Sequence, residues 1–208
     1  MSDPVTRFWW IRHAPVPHLS DRIYGNTDPD CDTSDRPAFE ALARRLPGDA
    51  VWAVTSLKRT VQTAEAIGSA GYVLPEPIVE ADLGEQNFGD LHGVLHSENA
   101  ASRSDPFVGF WDIHPHERAA GGESLVDVRN RVEPAIERLL DSHTGRDVVC
   151  ITHGGPIRCA LAIALGIEMT NAVAFSVRNL SLTQIESVPD ASPDGPRWRV
   201  RAVGELIE

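Results

Sequence analysis

The sequence predicts an α/β domain of three layers, α/β/α, on a mostly parallel sheet with a small cap insertion. Three observations lead there. Short apolar runs around Phe8–Ile11, Ala50–Thr55 and Asp147–Thr152 read as buried strands. Val148-Val149-Cys150-Ile151 is continuously apolar, as parallel strands covered on both faces are. Each run ends in polar residues, and two of them lead straight into helix-start signals, the strand–helix alternation of α/β folds. With 208 residues, 42% of them apolar, the chain suits one domain over 1–208, with residues 86–122 as the cap.

Phe8-Trp9-Trp10-Ile11-Arg12-His13 opens the chain as a strand that stops in an arginine and a histidine. Neighbouring side chains on a strand point to opposite faces, so these two share a site only if the backbone turns. Ala14-Pro15-Val16-Pro17 supplies that turn. Residues 15–35 then form a long polar loop with the turn formers Gly25-Asn26-Thr27-Asp28-Pro29-Asp30. Its length and its place after Arg12-His13 make Gly25 and Asn26 candidates for substrate contact.

Asp35 or Ser34 caps a first helix with Pro37 near its start. Phe39, Leu42, Ala43 and Leu46 form its apolar stripe, and Pro47-Gly48 ends it. After the strand at Ala50–Thr55, Ser56 stands where an N-cap belongs, with Leu57, Val61, Ala64 and Ile67 at helical spacing. Arg59 therefore falls in that helix's first turn. Gly68 to Gly71 closes the helix, and a weak strand at Pro77–Val79 leads into Leu83-Gly84-Glu85.

Residues 86–122 show no period but carry the aromatics Phe107, Phe110 and Trp111. Ser124 and Asp127 make a capping box for a helix over Leu125–Leu140. After Thr152-His153, Gly154-Gly155-Pro156 turns the chain into a helix over Ile157–Leu165 that Gly166 ends. Leu180–Val188 and Arg197–Val203 read as two more strands. Arg197, Arg199 and Arg201 alternate with apolar residues, so the last is an edge strand with one wet face.

A net charge of −11 argues against nucleic acid or an anionic membrane as partner, since both need a basic footprint. The chain shows neither a signal-peptide pattern nor an apolar run of transmembrane length. Cys31, Cys150 and Cys159 have no framework spacing, which fits a reducing cytoplasm. No glycine-rich dinucleotide fingerprint or Walker-type lysine loop is present, and His114-Pro115-His116 lacks partners at metal-ligand spacing. Neither a cofactor nor a metal is expected, and the oligomeric state is left open.

Three strands thus end in groups able to meet an anion: Arg12-His13, Ser56 with Arg59, and His153. Helix-start amides add to that potential. Two guanidinium groups offset a phosphoryl group's charge at any pH, and one histidine is free to attack phosphorus. The expected partner is a small phosphorylated metabolite.

In order, Arg12-His13, Thr55–Ala64, Leu83-Gly84-Glu85 with Phe88-Gly89, Gly121–Ser124 and Thr152–Gly155 resemble the motifs of the histidine phosphatase superfamily, also called phosphoglycerate mutase-like. The resemblance spans nearly the whole chain. It implies His13 as the nucleophile that becomes phosphohistidine, and Glu85 as proton donor to the leaving alcohol and then base for water. It implies Arg12, Arg59 and His153 as phosphate ligands, with Ser56, Gly25, Asn26 and Gly154 as further candidates near the substrate. Ala14 replaces the family's usual glycine, and Pro15-Val16-Pro17 replaces its polar residues.

The function expected is hydrolysis of a small phosphate monoester, such as an α-ribazole-phosphate or sugar-phosphate-like ester. The alternatives are a phosphoglycerate mutase-type phosphotransferase, which needs a second cationic cluster in the cap, and an inactive phosphate-binding module.

Overall fold

The computed structural model describes residues 4–105, 107, 109–187 and 197–207. Six strands form one sheet: β1 (Arg7–Arg12), β2 (Val51–Val54), β3 (Ile78–Val79), β4 (Asp147–Thr152), β5 (Leu182–Ser187) and β6 (Trp198–Glu205). Their order is β3-β2-β4-β1-β5-β6. The first four run parallel, while β5 and β6 are antiparallel to their neighbours. Among the described residues six α-helices accompany them: α1 (Arg36–Arg45), α2 (Lys58–Ser69), α3 (His96–Ala101), α4 (Leu125–Ser142), α5 (Gly154–Leu165) and α6 (Met169–Ala172).

The two-residue period of the strands divides the core. Phe8, Trp10, Val148, Cys150 and Ile185 join α4, α5 and α6 on one face. Trp9, Ile11, Trp52, Val54, Val149 and Ile151 join α1 and α2 on the other. Both faces of β1 and β4 are therefore covered, which is why these strands read as unbroken apolar runs. Residues 86–122 hold a 3-10 turn at Gly89–Leu91 and the short α3, over a small third cluster of Ile23, Phe88 and Ile113. No helix among the described residues is long and apolar enough to cross a membrane.

Local signals decide the helix ends. The Asp35 carboxylate accepts from the Ala38 amide at the start of α1. Ser124 and Asp127 form the capping box of α4. Gly166, at φ 63°, takes the left-handed conformation that ends α5. The expected cap at Ser56 is corrected: α2 starts at Lys58, behind Leu57, and Ser56 makes no capping bond. Its orphan amide at Lys58 is met instead by the Asp28 carboxylate at 2.7 Å, supplied by the long loop.

The helix expected from Ile157 begins three residues earlier, so Gly154 and Gly155 form its first turn. The expected strand at Leu180–Val188 is shorter; Leu180 sits at φ 59°, its amide bonded to the Arg12 carbonyl, and Val188 lies outside the described residues. The arginines of β6 are not simply solvated. Arg199 and Arg201 converge at 2.9 Å on Glu186, which is only 4% exposed.

Candidate active site

Register brings the two histidines together. Arg12 pairs with Thr152 across β1 and β4, so His13 and His153 leave the sheet side by side, their rings 5.1 Å apart. The His13 amide still donates to the Thr152 carbonyl, while the Ala14 amide donates to Thr63 Oγ1 on α2. The Asn179 side chain donates to the His13 carbonyl. Three elements thus fix the turn that turns Arg12 and His13 toward one place.

The imidazole of His13 is buried, with Nδ1 2.6 Å from the Ala14 carbonyl. Burial first, and the Arg59 and Arg12 charges next, hold its pKa well below the usual histidine range. The ring is therefore neutral at pH 7. A carbonyl oxygen only accepts, so the proton sits on Nδ1 and Nε2 presents its lone pair.

His153 is neutral for the same reasons, burial before the nearby cations. Its Nδ1 accepts from Arg59 Nε at 3.3 Å, and its Nε2 lies 3.1 Å from Thr55 Oγ1. Both nitrogens are taken by protein groups. The ring thus orients Arg59 while standing beside His13, the position expected of a phosphate ligand.

Arg59, in the first turn of α2, is fully buried. The buried face of α2 contains Arg59, Thr60 and Thr63 because that end of the helix looks onto the site rather than the core. The guanidinium donates to the Thr27 carbonyl at 2.6 Å and the Gly25 carbonyl at 2.7 Å. Gly25 thus acts through its backbone, at φ +42°, where a Cβ would stand 2.5 Å from the Gln86 carbonyl oxygen. Arg12 donates to the Val177 carbonyl through Nη1, and its buried Nε has no partner among the described residues.

Glu85 faces the start of α5. Its Oε1 accepts from the Gln86 amide at 2.9 Å and from the Gly155 amide at 3.2 Å. A Cβ at Gly155 would collide with that oxygen, so the glycine admits the carboxylate. Behind it, Arg131 of α4 donates to the carbonyls of Asp82, Gly84 and Glu85 and pairs with Glu123. That clamp gives Glu123, in the Gly121–Ser124 motif, a structural purpose.

Arg12, Glu85 and Gly154 line an open cleft of about 480 Å³ together with Arg158, Trp111 and His96. Arg158, on α5, lies 5.0 Å from the centre of the Trp111 ring. Ser56 and Asn26 are exposed and share a separate groove with Glu85 and Asn87, so they border the carboxylate from the outside. Among the described residues no group of three or more His, Cys, Asp or Glu is placed to hold a metal ion. Sequence reasoning missed Arg131, Asn179 and Arg158. Only Arg158 left a signal, a lone arginine in an otherwise apolar helix one turn past Gly154.

The chain is 31% identical over 183 residues to phosphoserine phosphatase 1 of Hydrogenobacter thermophilus, covering 84% of this chain and 83% of that one. It is 29% identical over 218 residues to glucosyl-3-phosphoglycerate phosphatase of Mycolicibacterium vanbaalenii, covering 94% and 93%. The solved native structure of a mycobacterial glucosyl-3-phosphoglycerate phosphatase superposes with a TM-score of 0.78 at 26% identity, over 95% of this chain and 98% of that one. The sequence profile of the histidine phosphatase superfamily (branch 1) matches residues 8–200, nearly the span of the whole sheet, and the chain belongs to that superfamily.

Proposed function

We propose that the protein is a phosphatase that hydrolyses a small phosphate monoester by way of a phosphohistidine at His13. The observation that carries this reading is the state of that ring: buried, neutral, pinned through Nδ1 to the Ala14 carbonyl and flanked by two guanidinium groups. Its Nε2 lone pair attacks phosphorus and the P–O bond to the alcohol breaks. Glu85 gives the departing oxygen its proton. The carboxylate then takes a proton from water, which attacks phosphorus as the N–P bond breaks, and His13 is restored.

Arg12, Arg59 and His153 hold the phosphoryl oxygens, and His153 also fixes Arg59 through Nδ1. The first-turn amides of α5 and the two guanidinium groups supply the positive potential, so the proposed reaction uses neither metal nor cofactor. EDTA should leave turnover unchanged; loss restored by a divalent ion would require another mechanism. Relatives named for phosphoserine and for glucosyl-3-phosphoglycerate support a small phosphorylated substrate. The free thiols of Cys31, Cys150 and Cys159 support a reducing compartment, and we assign the activity to the cytoplasm.

Hydrolysis is preferred to a mutase reaction because the cap's cations are spent. Arg103 is paired with Glu117, and Arg118 with Asp127. An inactive binding module would have no need of both a neutral His13 ring pinned through Nδ1 and a Glu85 carboxylate aligned by two amides. The test is rapid quench with a labelled monoester. Wild type should yield a phosphoenzyme that is labile in acid and stable in base, and His13→Ala should yield none and lose turnover while staying folded. An acid-stable adduct, or turnover in the variant, would overturn the reading. With 3-phosphoglycerate and catalytic 2,3-bisphosphoglycerate, phosphate release should outpace formation of 2-phosphoglycerate.

A further inference from the structure

Three guanidinium groups reach this site, and the phosphoryl group accounts for two of them. Arg158 is the third. It is 9% exposed, and among the described residues it forms no ion pair. Its only hydrogen bond there runs from Nη1 to the Gly154 carbonyl at 3.1 Å, leaving the buried Nε without a partner among the described residues. Buried cations ordinarily have a carboxylate. Burial first, and Arg12 next, push the Arg158 pKa down to about 10, so the side chain remains cationic at pH 7.

The group is held rather than loose. The Trp111 ring covers it at 5.0 Å, and Trp111 Nε1 is itself bonded to Gln86 Oε1 at 2.8 Å. Gly154 fixes where it stands relative to the phosphate site. A Cβ there would lie 3.0 Å from Arg158 Nη1 and 3.8 Å from Arg12 Cζ, so the two guanidinium groups flank one small gap. Of the other charges on the cleft, His96 and Asp112 are bonded to each other at 2.5 Å. The Glu85 carboxylate, whose charge opposes the lowering of the Arg158 pKa, makes no hydrogen bond to that side chain among the described residues.

We infer that Arg158 binds a carboxylate on the substrate's alcohol, which makes the preferred substrate a phosphate monoester of a short hydroxy acid. This rests on the phosphatase reading and names its substrate class. The gap beside Arg12 places that carboxylate on the carbon bearing the ester oxygen or on the next one. Formal charge supports the count. When Glu85 carries the proton it will donate, Arg12, Arg59 and Arg158 balance a phosphate dianion plus one carboxylate; a second phosphate would exceed them. The planar fork of an arginine suits a carboxylate held by two parallel hydrogen bonds.

The test uses matched pairs of monoesters that differ at the carboxylate: O-phosphoserine against phosphoethanolamine, and 3-phosphoglycerate against glycerol 3-phosphate. Wild type should favour the carboxylate member of each pair by about 10- to 100-fold in kcat/KM. Arg158→Gln should abolish that preference by losing the carboxylate members, while the others change less than about threefold. Arg158→Lys keeps the charge without the fork and should recover part of the preference; it also serves if the glutamine variant fails to fold. Equal losses on both members, a preference that survives in Arg158→Gln, or a wild type indifferent to the carboxylate would each overturn the assignment and leave the phosphatase reading standing. A wild type that hydrolyses none of the four esters, nor p-nitrophenyl phosphate, would overturn that reading as well.

Discussion

Glu85 and Arg158 both line the cleft, and each carries a separate consequence at the scale of a single side chain. The Glu85 carboxylate is aligned by two backbone amides, so Glu85→Gln preserves shape while removing the transferable proton. An alkyl phosphate needs that proton because its alkoxide leaves poorly; p-nitrophenoxide does not. Turnover of O-phosphoserine should therefore fall about 10²- to 10⁴-fold, and that of p-nitrophenyl phosphate by less than tenfold. Equal losses on both would remove Glu85 as the acid. Arg158 makes the opposite kind of prediction, about stability. A buried guanidinium with a pKa lowered to about 10 costs the ligand-free fold something whenever it is charged. Arg158→Met keeps a long apolar side chain beside Trp111 and removes the charge. The ligand-free variant should be more stable by ~1–3 kcal/mol, a Tm rise of several degrees, read by thermal denaturation without phosphate. A drop in Tm would mean that the guanidinium supports the fold rather than serving a ligand.

At the scale of elements, the long loop before α1 turns out to be part of the catalytic scaffold. Its Gly25 and Thr27 carbonyls hold Arg59, and its Asp28 carboxylate meets the first amide of α2. Gly25→Ala would force a Cβ toward the Gln86 carbonyl and the Phe88 ring from a left-handed backbone. The variant should lose about 1–3 kcal/mol of stability and bind substrate roughly tenfold more weakly, because Arg59 loses an anchor. A KM unchanged in a destabilised protein would separate the loop from the site. What was legible in the sequence follows from the same distinction. The strands, α1 and α4 were readable because apolar period and capping chemistry are local: Asp35 and the Ser124–Asp127 box sit beside the amides they satisfy. The start of α2 was not, because its cap comes from Asp28, thirty residues earlier. The meeting of His13, Arg59 and His153 was legible as strand ends followed by helix starts. The second nitrogen of His153, the Arg131 clamp and the cation on α5 depend on contacts between distant segments, and no spacing encodes them.

The whole molecule carries a net charge of −11 yet gathers positive charge past the carboxyl ends of the central strands β1 and β4, where two neutral histidines sit among three arginines. That arrangement fixes how stability responds to acid. His13 and His153 are fully buried with pKa values held well below 6.5, chiefly by desolvation. Once the pH falls below about 6.5, the unfolded chain takes up protons at these positions and the native state does not. Stability therefore declines as the pH drops from 6.5 toward the folded-state values, by about 1.4 kcal/mol per pH unit for each histidine. The half-exposed His92, also lowered by burial, adds in the same direction. His96 opposes it: Asp112 raises its pKa, so its contribution is present below 6.5 and fades as the pH rises through the folded-state value. The lowered carboxylates of Asp32 and Asp127 act only in the carboxylate range, below this window. Denaturation between pH 7 and 5 without phosphate should show wild type losing stability steeply. His13→Asn and His153→Asn should each flatten the slope by about 1.4 kcal/mol per pH unit, and the double variant should be nearly level. The same depressed pKa keeps Nε2 of His13 unprotonated, so the acid limb of kcat/KM should fall below pH 6.5. A double variant as acid-sensitive as wild type would mean that protonation elsewhere unfolds the protein and that neither ring is held neutral.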